Sequence, residues 1–224
     1  MPYQRWLLDI LADEFRNSKG FRVDYYPGWE SRGRSDFEPR YMMEHHTGTG
    51  SYNALLRYMA VGPVHPPLCN IANSRPANGV VRVTVVAAGR ANHAGRGQYG
   101  TIPPHQGNKY SIGNEGQNTG RQAWPDQQLE AQRRCDAAIL TYLNRDVGYL
   151  IDHKTYAPTR KTDRFNLSVA NERVAVDKLM TNDPLESLMS NLTNKQKKNF
   201  IYMFIFYLRF NNRWLLVFCC LAVR

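Results

Sequence analysis

Three places in the chain gather side chains able to hold a metal ion or move a proton. They are the pair His45-His46, Glu115 in the run SIGNEGQNTG, and the segment IDHKTYAPTRKTD, which carries His153, Lys161 and Asp163. Two imidazoles and one carboxylate or thiolate suffice for hydrolytic zinc, which needs three protein ligands and one position open to water. The cation makes that water acidic enough to attack near neutral pH. A base must still take the water's second proton, and a cation or hydrogen-bond donor must meet the oxyanion that forms. Glu115 and Lys161 are the right residue types for those two tasks. Taken singly, each signal has an ordinary explanation. A histidine pair on a strand is most often structural, a glutamate in a glycine-rich loop is most often solvated, and HKTYAPTRKTD alone reads as a basic surface loop.

Each place falls at the end of an expected strand or in the loop after it, where side chains of α/β folds converge on a cleft. Tyr41 to His46 reads as a strand. Its period of two puts Tyr41, Met43 and His45 on one face and Met42, Glu44 and His46 on the other. A short strand is expected near Tyr110 to Glu115, within a stretch from Gly89 to Gly120 that holds eight glycines and little periodicity. Long loops of that kind are often functional. Another strand, Tyr149 to Ile151, precedes His153, and a basic loop from Pro158 to Phe165 follows it.

The remaining elements are those that must hold these strand ends in place. Phe21 to Tyr25 alternates as a strand, and Val80 to Ala88, rich in β-branched residues, fits a buried one. Trp6, Leu7, Ile10, Leu11 and Phe15 recur at helical spacing and predict an amphipathic helix over 3–17. Ser51 can cap a helix carrying Leu55, Leu56 and Met59. Trp124-Pro125-Asp126 opens the clearest helix, with Pro125 in its first turn and Leu129, Cys135, Ile139, Tyr142 and Leu143 as its buried stripe. A further helix is expected over residues 168–180. His65 and His105, in proline-rich loops, read as solvated.

With 224 residues, the chain is one domain with a tail or two small domains. A net charge of +10 favours an anionic partner: nucleic acid, an anionic membrane surface or the bacterial cell wall. No helix-turn-helix, zinc finger or aromatic-basic RNA motif is visible, which argues against nucleic acid. The four cysteines form no CxxC pair and are too few for a disulfide framework, so Cys69 and Cys135 read as reduced and part-buried. Asp9, Asp13 and Glu14 interrupt the apolar positions of the N-terminal run. It is no secretory signal, and the expectation is synthesis in the bacterial cytoplasm without an export address.

Six motifs occur in order: YYPGWESRGR, MEHHTGTG, VVAAGRANHAG, GNKYSIGNEGQNTG, AWPDQQLEAQRRC and IDHKTYAPTRKTD. Together, from about Trp6 to about Leu179, they resemble the type 2 family of N-acetylmuramoyl-L-alanine amidases. That family includes phage endolysin domains and peptidoglycan recognition proteins. The texture is most similar to endolysins from phages of actinobacteria. The resemblance implies an α/β fold, with a mixed central β-sheet flanked by helices and zinc at one end of the strands. It implies hydrolysis of the amide between N-acetylmuramic acid and L-alanine in bacterial peptidoglycan. It makes His45, His153 and Asp163 the zinc ligands, and strand parity agrees with His45 over His46. It makes Lys161 the oxyanion-stabilising cation and Glu115 the base, and it places His93 and Asn108 along the substrate cleft. The alternative within the same fold is a module that binds peptidoglycan without cutting it; the presence of Asp163 as a third ligand favours the enzyme.

Four residues depart from the family's pattern. Glu44 replaces an apolar residue, Asn114 an isoleucine, Asp152 a glycine and Arg164 a proline. Burying Glu44, Asn114 or Asp152 without partners would cost roughly 1–3 kcal/mol each. Asp152 could alternatively orient an imidazole, although adjacent strand residues face opposite ways. Composition changes abruptly after residue 180. Residues 181–199 read as a polar linker and 200–224 as an apolar tail interrupted by Arg209, Asn211, Asn212 and Arg213. The tail reads as a non-native extension, as two short apolar pieces, or, less favoured, as a membrane anchor, since Arg209 and Arg213 fall near its middle.

Overall fold

A computed structural model describes residues 3–48 and 50–181, and the backbone of two strands, 203–210 and 213–220. The chain divides into two compact units, Met1–Met180 and Thr181–Arg224.

The first unit is built on a six-stranded mixed sheet. Its strands are β1 (Phe21–Tyr25), β2 (Tyr41–His46), β3 (Ile71–Asn73), β4 (Val81–Val85), β5 (Ser111–Gly116) and β6 (Leu150–Asp152), in the order β1-β4-β3-β5-β2-β6. β2, β3, β5 and β6 run parallel to one another, so their C-terminal ends lie together; β4 is antiparallel to β3 and parallel to β1. The helices are α1 (Trp6–Phe15), α2 (Tyr52–Val61), α3 (Gly107–Tyr110), α4 (Asp126–Tyr142), α5 (His153–Tyr156) and α6 (Val169–Thr181).

One face of the sheet is covered by α1, α4 and α6. Leu7, Leu11 and Phe15 of α1, Ala131, Cys135, Ile139 and Leu140 of α4, and Val176 of α6 pack on Met42, Ile112, Leu150 and the valines of β4. Each fully buried leucine of this layer contributes about 1.5–3 kcal/mol by leaving water. The other face carries two smaller clusters. Leu55, Leu56 and Met59 of α2 cover Ala72, while Tyr41, Met43 and Ile151 pack with Ala94, Ile102 and Tyr156. Tyr41 and Met43 thus face one layer and Met42 the other, the period-two parity expected of this strand.

Differences from the sequence reading are local. Val80 to Ala88 is shorter as a strand, because the chain leaves the sheet after Val85. β3 was not foreseen; three residues are too few to show a period. Ser51 occupies the N-cap of α2 but its side chain makes no capping bond. Pro125 is the extended residue before α4 and not part of its first turn. Tyr142 does not join the buried stripe of α4. It is 38% exposed, with its ring stacked on Trp6 at 4.2 Å between centroids. Cys69 and Cys135 are buried free thiols.

In the second unit, β7 (Met203–Phe210) and β8 (Arg213–Cys220) pair antiparallel, with Phe210 opposite Arg213. No helix of the described residues is long and apolar enough to cross a membrane. The linker expected at 181–199 lies, but for Thr181, outside the described residues.

Candidate metal centre

His45 is the fifth residue of β2, a strand flanked on both sides by parallel neighbours. In register, His45 stands opposite Glu115 of β5, so the two side chains leave the same face of the sheet. β6 ends one residue before His153, which opens α5. Asp163 comes from the irregular segment between α5 and α6. These three elements bring one donor atom from each of His45, His153 and Asp163 within 4.8 Å of one another, all three residues buried. The Nδ1 atoms of His45 and His153 are 2.9 Å apart, and Asp163 Oδ2 lies 3.3 Å from the first and 3.0 Å from the second.

The outer nitrogens of the two rings fix their tautomers. His153 Nε2 is 2.9 Å from the carbonyl of Ala94, so it carries the hydrogen and donates it, leaving Nδ1 bare in the neutral ring. His45 is set through a relay. His93 Nε2 is 3.1 Å from the carbonyl of Ser111 and must donate to it. His93 Nδ1 is then an acceptor, and His45 Nε2, 3.0 Å away, donates to it. Two imidazole lone pairs therefore meet at Nδ1, beside a carboxylate. That is a donor set for a borderline-soft cation such as zinc. Without a cation, the two bare nitrogens repel; the residues fit a metal.

Electrostatics point the same way. Burial pushes the His45 imidazole down to about 4, against the opposing pull of Asp163. Burial also holds His93 well below the ordinary value, which keeps the relay neutral. Burial works to raise Asp163, but its close contacts with His153 and His45 outweigh it and hold this carboxyl well below the usual range. A neutral His45 and an anionic Asp163 are the protonation states a metal requires of these ligands.

Glu115 lies half-buried beside this cluster, with Oε2 lacking any hydrogen-bond partner among the described residues. Burial and the charge of Asp163 push its carboxyl up to about 8, with Lys161 pulling the other way. The charge of the Lys161 ammonium acts on His45, His46 and Glu115 alike. A divalent cation among the ligands would draw Glu115 back toward its ionised form. His46 turns away from the cluster: its Nδ1 accepts from the backbone N–H of Phe165 at 3.2 Å.

His93 and Asn108 were expected along a substrate cleft. In the structure both make inward hydrogen bonds. His93 is 8% exposed and serves as the relay under His45. Asn108 Oδ1 accepts from the backbone N–H groups of His93 and Ala94 at 2.9 and 2.7 Å, bracing the loop that supplies both imidazole partners. Gly113 makes room for the relay, since a Cβ there would lie 2.6 Å from the His93 ring. Replacing His93 with phenylalanine should keep the packing and remove the acceptor under His45. Second-sphere changes of this kind lower metal affinity about 10–100-fold. Competition against a chromophoric chelator measures the loss, and unchanged affinity would show that the relay does not orient His45.

The departures from the family pattern have partners on the side of the sheet away from the metal. Asp152 caps α5, its Oδ1 accepting from the backbone N–H and hydroxyl of Thr155 at 2.9 and 2.5 Å, and so orients His153 through the backbone. Asn114 Oδ1 accepts from Asn73 Nδ2 at 2.5 Å. Burial raises the Glu44 carboxyl against the pull of Arg164, and burial with the charge of Glu44 raises Asp136 well above the ordinary range. His65 and His105 are exposed, as expected.

The sequence pattern of a family described as N-acetylmuramoyl-L-alanine amidase matches residues 35–165, more than half of the chain. No curated protein matches the chain in sequence. Among solved structures, AmpDh3 from Pseudomonas aeruginosa superposes with a TM-score of 0.54 at 20% identity, covering 62% of this chain and 59% of its own. The chain thus spans less than two thirds of that structure. AmpDh3 in complex with an anhydromuramic pentapeptide gives 0.52 at 18% identity, covering 72% and 71%. A selenomethionine derivative of AmpD gives 0.51 at 21% identity, covering 70% of this chain and 94% of its own. At these identities the likeness is one of fold.

Proposed function

Because the chain belongs to the N-acetylmuramoyl-L-alanine amidase family, we propose that it hydrolyses the amide between N-acetylmuramic acid and L-alanine of bacterial peptidoglycan, using zinc held by His45, His153 and Asp163. The observation that carries this reading is the pair of bare Nδ1 atoms turned onto the Asp163 carboxylate, with the unpartnered Glu115 oxygen beside them.

Bound there, zinc would supply Lewis acidity, polarising the scissile carbonyl and acidifying the attacking water. Glu115 takes a proton from the water as its oxygen adds to the carbonyl carbon, and returns it to the nitrogen as the C–N bond breaks. The Lys161 ammonium faces the developing oxyanion and lowers its energy. The products are a carboxylate on the muramic acid lactyl group and a stem peptide with a free alanine amine. The muropeptide in the AmpDh3 complex is chemically in keeping with such a substrate, and the net charge of +10 suits an anionic wall. The finer reading is a phage-type endolysin made in the bacterial cytoplasm and acting on the wall, which rests on the texture of the sequence motifs.

Digestion of purified peptidoglycan followed by mass spectrometry tests the bond assignment. Stem peptides beginning with free L-alanine are expected, with intact glycan strands. Muropeptide binding with no new amine after long incubation would point instead to a binding module of the same fold.

A further inference from the structure

Arg164 is the largest side chain buried to within 2% of complete exclusion from solvent, and the chemistry above does not use it. Its guanidinium lies 3.4 Å from Glu44 Oε2, 3.3 Å from Gln132 Oε1 and 3.6 Å from Glu172 Oε2. Glu172 is itself gripped by Arg133 at 2.7 and 3.1 Å. Glu44, Arg164 and Glu172 are all at most 3% exposed.

A buried ionic group of this size is a poor way to gain stability, because apolar side chains of equal volume often do as well or better. Its placement is what distinguishes it. Glu44 is the residue before His45, and Arg164 is the residue after Asp163. The Glu44–Arg164 contact therefore joins the backbone of one candidate ligand directly to that of another, across the face of the sheet opposite the metal. Gln132 and Glu172 extend the grip to α4 and α6. Asp163 needs such a tie, since it sits in a segment without regular structure. Other polar ties of that segment include the Lys154 N–H to the Asp163 carbonyl at 2.8 Å, the Lys154 ammonium to the Arg164 carbonyl at 3.0 Å, Phe165 N–H to His46 Nδ1, and Trp124 Nε1 to the Phe165 carbonyl at 2.9 Å.

We propose that Arg164 is a positioning residue for the metal centre, its buried contact with Glu44 holding the Asp163 carboxylate in register with His45 and His153. The proposal rests on those three residues being metal ligands.

Cobalt(II) titration of the full-length protein, read by visible d–d absorption, separates the two readings. Wild type should bind one equivalent with a four-coordinate spectrum. Arg164→Met, shown folded by circular dichroism, should bind cobalt at least tenfold more weakly with an altered spectrum. Arg164→Lys should fall between. Glu44→Gln, which keeps the shape of the side chain, should weaken binding in the same sense, and the double variant should lose no more than Arg164→Met alone. If Arg164→Met does not fold, Glu44→Gln carries the test by itself. Wild-type cobalt affinity and spectrum in a folded Arg164→Met or Glu44→Gln would overturn the positioning role while leaving the metal site standing. Failure of wild type to bind cobalt would overturn the metal reading itself.

Discussion

Glu115→Gln is expected to slow stem-peptide release by about 10²–10⁴-fold, the range contributed by a well-placed general base, while leaving bound metal unchanged. The substitution keeps the shape of the side chain and removes its ability to accept a proton. Three observations single this carboxylate out. It stands in register opposite His45, so it shares the face of the sheet on which the ligands gather. Its Oε2 is buried without a protein partner among the described residues. Burial and Asp163 make it more basic than an ordinary glutamate, pushing it to about 8 without a cation; a cation would bring it down toward neutrality, where a base is most useful. A rate within a few-fold of wild type would remove Glu115 from the proton-transfer role, and metal content would reveal whether the variant had failed for another reason.

Asp163→Ala is expected to abolish both metal binding and activity. Two bare Nδ1 atoms remain, one ligand short of a hydrolytic zinc site and with no anion to offset the charge of the cation. The carboxylate is also the group that both Nδ1 atoms face, at 3.0 and 3.3 Å, so its removal leaves the rings held only from their outer nitrogens. Asp163→Asn, which retains an oxygen donor without the charge, should keep a trace of metal at high concentration. Near-stoichiometric zinc in Asp163→Ala would show that the third ligand lies elsewhere. Zinc analysis by atomic absorption after exhaustive dialysis distinguishes these outcomes.

How far the site could be read from sequence depended on whether its signals were local. β2 is long enough to show its period, and parity alone separated His45 from His46; the structure has His45 in the cluster and His46 bonded to the Phe165 backbone. Glu115, His153 and Asp163 sit at strand ends or in the loops after them, where side chains of an α/β fold converge. The relay under His45 was not legible, because His93 meets β2 across 48 residues and the only local sign was a glycine at position 113 that spares room for a ring. The Glu44–Arg164 pair spans 120 residues and appeared in sequence only as two anomalies, a charge in a central strand and an arginine in place of proline. Each looked like a cost; together they are partners. β3 escaped notice because three residues carry no periodicity, and Tyr142 was misassigned because its ring leaves the stripe of α4 to stack on Trp6.

In the proposed mechanism one metal ion, held by His45, His153 and Asp163, is indispensable for amide hydrolysis. Zinc content and stem-peptide release should be measured on a single purified sample, as isolated, after chelation, and after zinc is restored. One equivalent of zinc is expected, with release falling to background when the metal is removed and returning in proportion as it is replaced. Full release of stem peptides from protein shown to contain no metal would contradict the account.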